Sequence, residues 1–226
     1  MHVVYVVGPT DPGDQLRYSL RSLSTNLRVS SFDVTVAGFV PRWLRDIQAL
    51  PVPQSGSKQE NIRAAIRAAC ERYDEWLLCW DDVFVCQPID HLPRMHRGPM
   101  RDLVDAHRSA KPLSSYLRDL EATGKALEAE GIPVPLAYDC IHVPQPIHSP
   151  TMLRALDLAG QHSVSGVLTV HGNLRSGDRG MQVGNAKATS GWSRRAFVST
   201  NDRRWRAEPV GGWLRDLFPE PSPWEK

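Results

Sequence analysis

The chain has 226 residues, 41% hydrophobic and 23% charged, with Lys+Arg 27 against Asp+Glu 25 for a formal charge of +2. This fits a globular protein with a sizeable core, and the charge is too small to demand a nucleic-acid partner, although it leaves room for local basic patches. No apolar segment approaches the ~20 residues of a membrane span, and MHVVYVVGP lacks the basic start of a signal peptide.

In chain order, residues 3–7 (VVYVV) run into the loop GPTDPGD and read as a buried first strand. Leu16, Leu20, Leu23 and Leu27 then recur at helical spacing, with Arg17 and Arg21 on another face. A second strand is read over 33–39, and Pro41 and Trp43 open a turn. Ser57-Lys58-Gln59-Glu60 has the form of a capping box, ahead of a helix whose buried stripe is Ile62, Ile66, Ala69 and Cys70. Residues 77–88, LLCWDDVFVCQP, read as a buried strand with two carboxylates inside it. Alternation of this kind predicts an α/β fold with a mixed, mainly parallel sheet flanked by helices. Ligands of open sheets gather outside the carboxyl ends of strands, where Asp81 and Asp82 fall.

The second half is less regular. Residues 88–111 show no clear periodicity and read as a connecting or acceptor-side loop. A helix or helix pair is predicted over 115–130, weakened at Gly124, and a short strand over 138–144. Ser149-Pro150 starts a helix over 151–158 with proline in its first turn. Residues 164–170 read as a strand leading into His171-Gly172-Asn173. The four cysteines, Cys70, Cys79, Cys86 and Cys140, form no CxxC pair and read as thiols of a reduced compartment, so a cytoplasmic location is expected.

Asp81-Asp82 has two readings. One is a turn or helix cap with a solvated carboxylate. The other is a Mg²⁺ or Mn²⁺ site that leaves positions for diphosphate oxygens, and the apolar flanks favour it. DQLRYSLRSL (14–23), VPRWL (40–44), Lys58 with Asn61 and Ile66, and WDDVFVCQPI (80–89) follow one another in an order that resembles the Stealth family. That family contains sugar-phosphate transferases and has a nucleotide-sugar site resembling the GT-A glycosyltransferase fold. DCIHVPQPI (139–147) resembles its His-containing block, and the C-terminal STNDRRW and FPEPSPWE resemble the ends of small phage and bacterial glycosyltransferases. The resemblance covers most of 3–90 and, more weakly, 138–180. Where the family has a V-D-G turn after its first strand, this chain reads Val7-Gly8-Pro9.

The resemblance implies a single GT-A-like domain over 1–226, with 1–90 as the nucleotide-sugar half and 91–226 as the acceptor-side and C-terminal half. Its site would take a UDP- or GDP-sugar with Mn²⁺ or Mg²⁺ on Asp81 and Asp82. Gly8, Thr10, Asp11 and Arg17 would line the nucleotide. Lys58 and Asn61, at a helix N-terminus suited to anions, would meet the phosphates and sugar. His142 is the candidate general base. His171 is its rival, or a third metal ligand. Arg175, followed by Asp178, would neutralise the diphosphate leaving group, and Asp202 is a further metal or base candidate.

Three function classes follow. The first is a metal-dependent glycosyltransferase acting on an acceptor glycan or protein, with Stealth-like hexose-1-phosphate transfer as its variant. The second glycosylates a hydroxymethylated DNA base, gripping nucleic acid through Trp192, Arg194, Arg195, Arg203, Arg204, Trp205 and Arg206. The third is a binding module without chemistry. Glycosyl transfer is expected, in host cytoplasm if the chain is phage-encoded. Adjacent carboxylates disfavour a glycosidase, whose acid and nucleophile stand on separate elements.

Overall fold

A computed structural model describes residues 1–8, 13–53, 55, 57–108, 114–139, 141–175, 177, 179–187 and 190–226. The chain begins β1 (His2–Val7), α1 (Asp14–Asn26), β2 (Asp33–Gly38), β3 (Gln48–Leu50), α2 (Lys58–Arg72), β4 (Glu75–Trp80) and β5 (Val83–Val85). It continues β6 (Met95–His96), α3 (Met100–Arg108), α4 (Ser115–Ala129), β7 (Gln145–His148), α5 (Ser149–Gln161) and α6 (Val167–Leu174). Last come β8 (Met181–Gln182), β9 (Phe197–Ser199), α7 (Asp202–Ala207) and α8 (Pro209–Leu217). The fold is α/β. Its central sheet has the order β3-β2-β1-β4-β7, and β1 pairs in parallel with both β2 and β4, as β2 does with β3. Among the described residues no helix is long and apolar enough to cross a membrane.

The chain divides into two compact units. One comprises 1–92, 142–147 and 186–226; the other comprises 93–141 and 148–185. The C-terminal segment thus returns to the first unit, a division the sequence halves 1–90 and 91–226 do not anticipate.

In the first unit, β1 is buried along 3–7 because strands covered on both faces favour continuous β-branched runs. Leu16, Leu20 and Leu23 of α1, all fully buried, pack with Val3, Tyr5 and Val7. A second ridge on α1 is polar and equally buried: Gln15, Ser19, Ser22 and Asn26. Three of these serve the backbone of β5. Ser19 Oγ donates to Val83 O, Ser22 Oγ accepts from Val85 N–H at 3.0 Å, and Asn26 Nδ2 donates to Val85 O at 2.7 Å. On its other side β5 pairs antiparallel with β9. The predicted strand over 77–88 is therefore two strands of two different sheets, broken at Asp81-Asp82.

The Trp- and Arg-rich segment closes a second core. Trp205 stacks on Phe84 at 5.5 Å between ring centroids, Arg215 lies 4.8 Å over Trp205, and Val198, Val210, Leu214 and Phe218 complete the cluster. Gly211 is required there, because a Cβ would sit 2.0 Å from Trp205 O.

The second unit departs from expectation. The predicted loop over 88–111 contains β6 and α3, a short helix whose apolar face is Met100, Leu103 and Val104, with Met100 and Val104 buried. Residues 164–170 start a helix, α6, instead of a strand. Its valines suggested β structure, but it is buried nearly all round, and its N-terminus is held from outside. The Asp139 carboxylate accepts from Thr169 N–H at 2.6 Å and Leu168 N–H at 3.3 Å, satisfying donors that a helix leaves free in its first turn. None of the described residues of 138–144 lies in a strand; β7 begins one residue later, at Gln145.

Candidate functional site

The site builds from the ends of two adjacent parallel strands. β1 ends at Val7 and leads into Gly8, and its neighbour β4 ends at Trp80 and leads into the turn Asp81-Asp82. The turn is anchored on both sides, by β4 in the main sheet and by β5 against α1 and β9. Asp82 O also accepts from Thr200 N–H at 3.0 Å, which ties the turn to the segment entering α7.

Both carboxylates are half-buried and shifted upward, Asp81 strongly. Burial, then the neighbouring charge of Asp82, pushes Asp81 up to about 6, with Asp202 adding to the rise and Lys58 opposing it. Burial likewise raises Asp82, against the attraction of Lys187 and Lys58. Lys187 Nζ lies 3.9 Å from Asp82 Oδ2. Asp81, Asp82, Asp202, Lys58 and Lys187 therefore share one electrostatic site within the first unit. Like charges crowded at low dielectric raise carboxylate pKa values in this way, and a cation or a positively charged partner relieves the cost.

Asp202 is the first residue of α7. Asn201 caps that helix, accepting from Arg204 N–H at 2.9 Å, and so leaves the Asp202 carboxylate free for other partners. Gln15 Nε2 donates to Asp202 Oδ1 at 2.7 Å, and Gln15 Oε1 accepts from Thr200 Oγ1 at 3.1 Å. Ser199, next to Thr200, is buried with an Oγ that has no hydrogen-bond partner among the described residues.

His142 also belongs to the first unit. It holds a left-handed backbone conformation with φ 49°, uncommon for a side-chain-bearing residue. Burial and, after it, Lys187 pull its pKa down to about 4, so the imidazole is neutral at pH 7.

In three of the sequence assignments, Arg17, Asn61 and His171, the side chain meets other partners. Arg17 is committed elsewhere: its Nη1 donates to Glu225 Oε2 at 2.8 Å and its guanidinium lies 4.3 Å over Trp43. Asn61 is buried, and its amide is spent on the loop before α2. Its Oδ1 accepts from Ser55 N–H at 2.6 Å and its Nδ2 donates to Ser55 O at 3.1 Å. His171 is buried within α6 of the second unit, where its Nε2 lone pair accepts from His148 N–H at 3.3 Å. That leaves no lone pair on Nε2 for a metal. Burial, then Arg175 and Arg94, lowers it to about 3. Arg175 caps α6 in the same unit, its N–H donating to His171 O at 3.2 Å. Lys58 opens α2, exposed, behind Ser57, whose Oγ accepts from Glu60 N–H at 3.3 Å. Glu60 does not close the box. Its carboxylate accepts from Ser55 Oγ at 2.9 Å instead. Thr10, Asp11 and Asp178 lie outside the described residues. Burial raises the Cys79 thiol and pushes Cys86 up to about 12, so neither is a nucleophile at neutral pH.

Among the described residues no three His, Cys, Asp or Glu side chains are gathered to cage a metal on their own. The donor chemistry of Asp81 and Asp82 nevertheless fits Mg²⁺ or Mn²⁺ held the way Mg²⁺ usually is, by one or two carboxylates with the remaining positions filled by water and substrate phosphates. The sequence reading missed Lys187, which lies in no motif, and Gln15, which lies within DQLRYSLRSL but whose only local signal is a polar residue beside Leu16 on a buried helix face. Comparison with protein-family models and with curated proteins gives no match for this chain.

Proposed function

We propose that the chain is a metal-dependent glycosyltransferase of GT-A-like architecture, moving a sugar from a UDP- or GDP-sugar to an acceptor hydroxyl. The observation that carries this reading is the carboxylate pair at the end of β4, flanked by Lys58 and Lys187 and facing Asp202. A divalent cation held by Asp81 and Asp82 would neutralise the diphosphate and the charge that develops on the departing nucleotide. Lys58 and Lys187 add positive charge for the phosphates. Gly8, at the end of β1, has no atom of the described residues within 4 Å of where a Cβ would stand, which favours a nucleotide beside the backbone. His142, neutral at pH 7, accepts the acceptor's hydroxyl proton on an imidazole nitrogen. The acceptor oxygen bonds to the anomeric carbon as the bond from that carbon to the phosphate oxygen breaks, releasing nucleoside diphosphate.

Incubation with UDP- and GDP-sugars, Mn²⁺ and a panel of acceptors tests this. Release of UDP or GDP that disappears in Asp82→Asn supports sugar transfer. Release of UMP or GMP means hexose-1-phosphate transfer instead. Absence of any Asp82-dependent release across the panel removes the enzymatic reading. The arginine-rich segment gives less support to a DNA acceptor: Trp205 is core, and Arg204 is engaged by Glu208.

A further inference from the structure

We infer that Gln15 is a positioning residue of this site, holding Asp202 so that its carboxylate strengthens cation binding at Asp81-Asp82. The inference rests on the metal-dependent reading above. Gln15 lies on α1, 5% exposed, and its amide is oriented unambiguously. A threonine hydroxyl can donate to the carbonyl end of an amide, and a carboxylate can only accept. With Thr200 Oγ1 at 3.1 Å from Oε1 and Asp202 Oδ1 at 2.7 Å from Nε2, both contacts are satisfied in one orientation. Three groups from two places in the chain, α1 and the segment entering α7, thus form a directed series, hydroxyl to amide to carboxylate.

The series is coupled to the carboxylate turn through the main chain. Thr200, which orients the amide, also donates its N–H to Asp82 O at 3.0 Å. One residue thus fixes the backbone of the turn and the amide that holds Asp202. Asp202 follows Thr200 by two residues, on the segment that Thr200 ties to the turn, yet it is exposed and begins a helix of six residues. Without Gln15 such a carboxylate would swing freely in solvent. Held through Oδ1, it keeps its charge at a fixed place beside the pair. Groups that orient ligands from outside the coordination sphere are typically worth roughly 10- to 100-fold in metal affinity.

The test is Mn²⁺ binding followed by electron paramagnetic resonance, with and without UDP, on the full chain and its Gln15→Met, Asp202→Asn and double variants. Methionine keeps the volume and removes both hydrogen bonds. Gln15→Met is expected to weaken Mn²⁺ binding about 10-fold, Asp202→Asn at least as much, and the double variant no more than Asp202→Asn alone. Thr200→Val, which frees the amide with little change of shape, should give a smaller loss of the same kind and serves if Gln15→Met does not fold. Three results overturn the inference. One is wild-type Mn²⁺ affinity in Gln15→Met with only a lower melting temperature, which marks a purely structural tie. Another is a further loss in the double variant, which means that Gln15 acts by another route. No Mn²⁺ binding by the wild-type chain overturns the metal reading and this inference together, whereas the first two results leave the metal reading standing.

Discussion

Glu225 is the second-last residue of the sequence, yet its side chain is only 2% exposed and meets Arg21 in a two-pronged ion pair. Arg21 Nε donates to Oε1 and Nη2 to Oε2, each at 2.8 Å, and Arg17 adds a third contact at 2.8 Å. Around this pair the C-terminal segment is sewn to the turn after β2: Arg45 N–H donates to Trp224 O and Lys226 N–H to Trp43 O, both at 2.9 Å. Removing one partner of a buried pair leaves the other charge without compensation. Glu225→Gln is expected to cost about 3 kcal/mol, lowering the melting temperature by roughly 10 °C. A thermal melt that moves by no more than a degree or two would show that solvent replaces the carboxylate.

The same group makes a prediction about pH. Burial raises the Glu225 pKa, but hydrogen bonds from Arg21, Ser222 and Arg17 outweigh it and hold the carboxyl down to about 2. A depressed folded pKa contributes stability above the unfolded value and loses it as pH falls toward the folded one. The difference in melting temperature between wild type and Glu225→Gln should therefore be full at pH 6 and shrink steadily below pH ~4.5. Asp139 works in the opposite sense. Burial holds it up to about 6, so its contribution is present at low pH and is lost as pH rises through about 6. In Asp139→Asn the wild-type dependence between about pH 4 and 6 should flatten.

At the carboxylate turn, function and stability should separate. Asp81 is raised to about 6, so the folded protein holds its ionised form at a cost at neutral pH. Asp81→Asn should leave the melting temperature unchanged or raise it, while reducing Mn²⁺-dependent nucleotide release by at least ~100-fold, as loss of a ligand costs no less than loss of its supporting shell. Measuring both quantities on one preparation checks it. A large stability loss at unchanged turnover would assign the turn a structural role.

Gly38 ends β2 with φ 110°, and a Cβ there would stand 2.1 Å from Val7 O. Gly38→Ala meets both a forbidden backbone region and a collision with β1 just before Gly8. It should destabilise by about 3 kcal/mol or more, and circular dichroism melts of the variant give the value.

The first half of the fold was readable because its signals are local. The β-branched run of β1, the leucines of α1 and the Ser57 cap each need only a few neighbouring residues. What was unreadable depends on distant partners. Arg17 resembles a surface or ligand-binding arginine until Glu225, 208 positions away, takes it. Residues 164–170 resemble a strand until Asp139 supplies the helix start from elsewhere in the chain. Asp81 and Asp82 were legible as expensive charges in an apolar run. Asp202 was legible as a further metal or base candidate, but Lys187 was not, because only the return of the C-terminal segment to the first unit brings it there.

The polar ridge of α1 has one more effect. β5 and β9 form a ribbon of two strands, the kind of element whose unpaired backbone invites a neighbouring chain to add a strand. Ser19, Ser22 and Asn26 occupy the groups on the free side of β5 with side chains of a helix, which no extended segment can displace without first unwinding it. The strand that follows the two aspartates is thereby closed to a further strand on that side, and one helix face serves both the site and the edge of the ribbon.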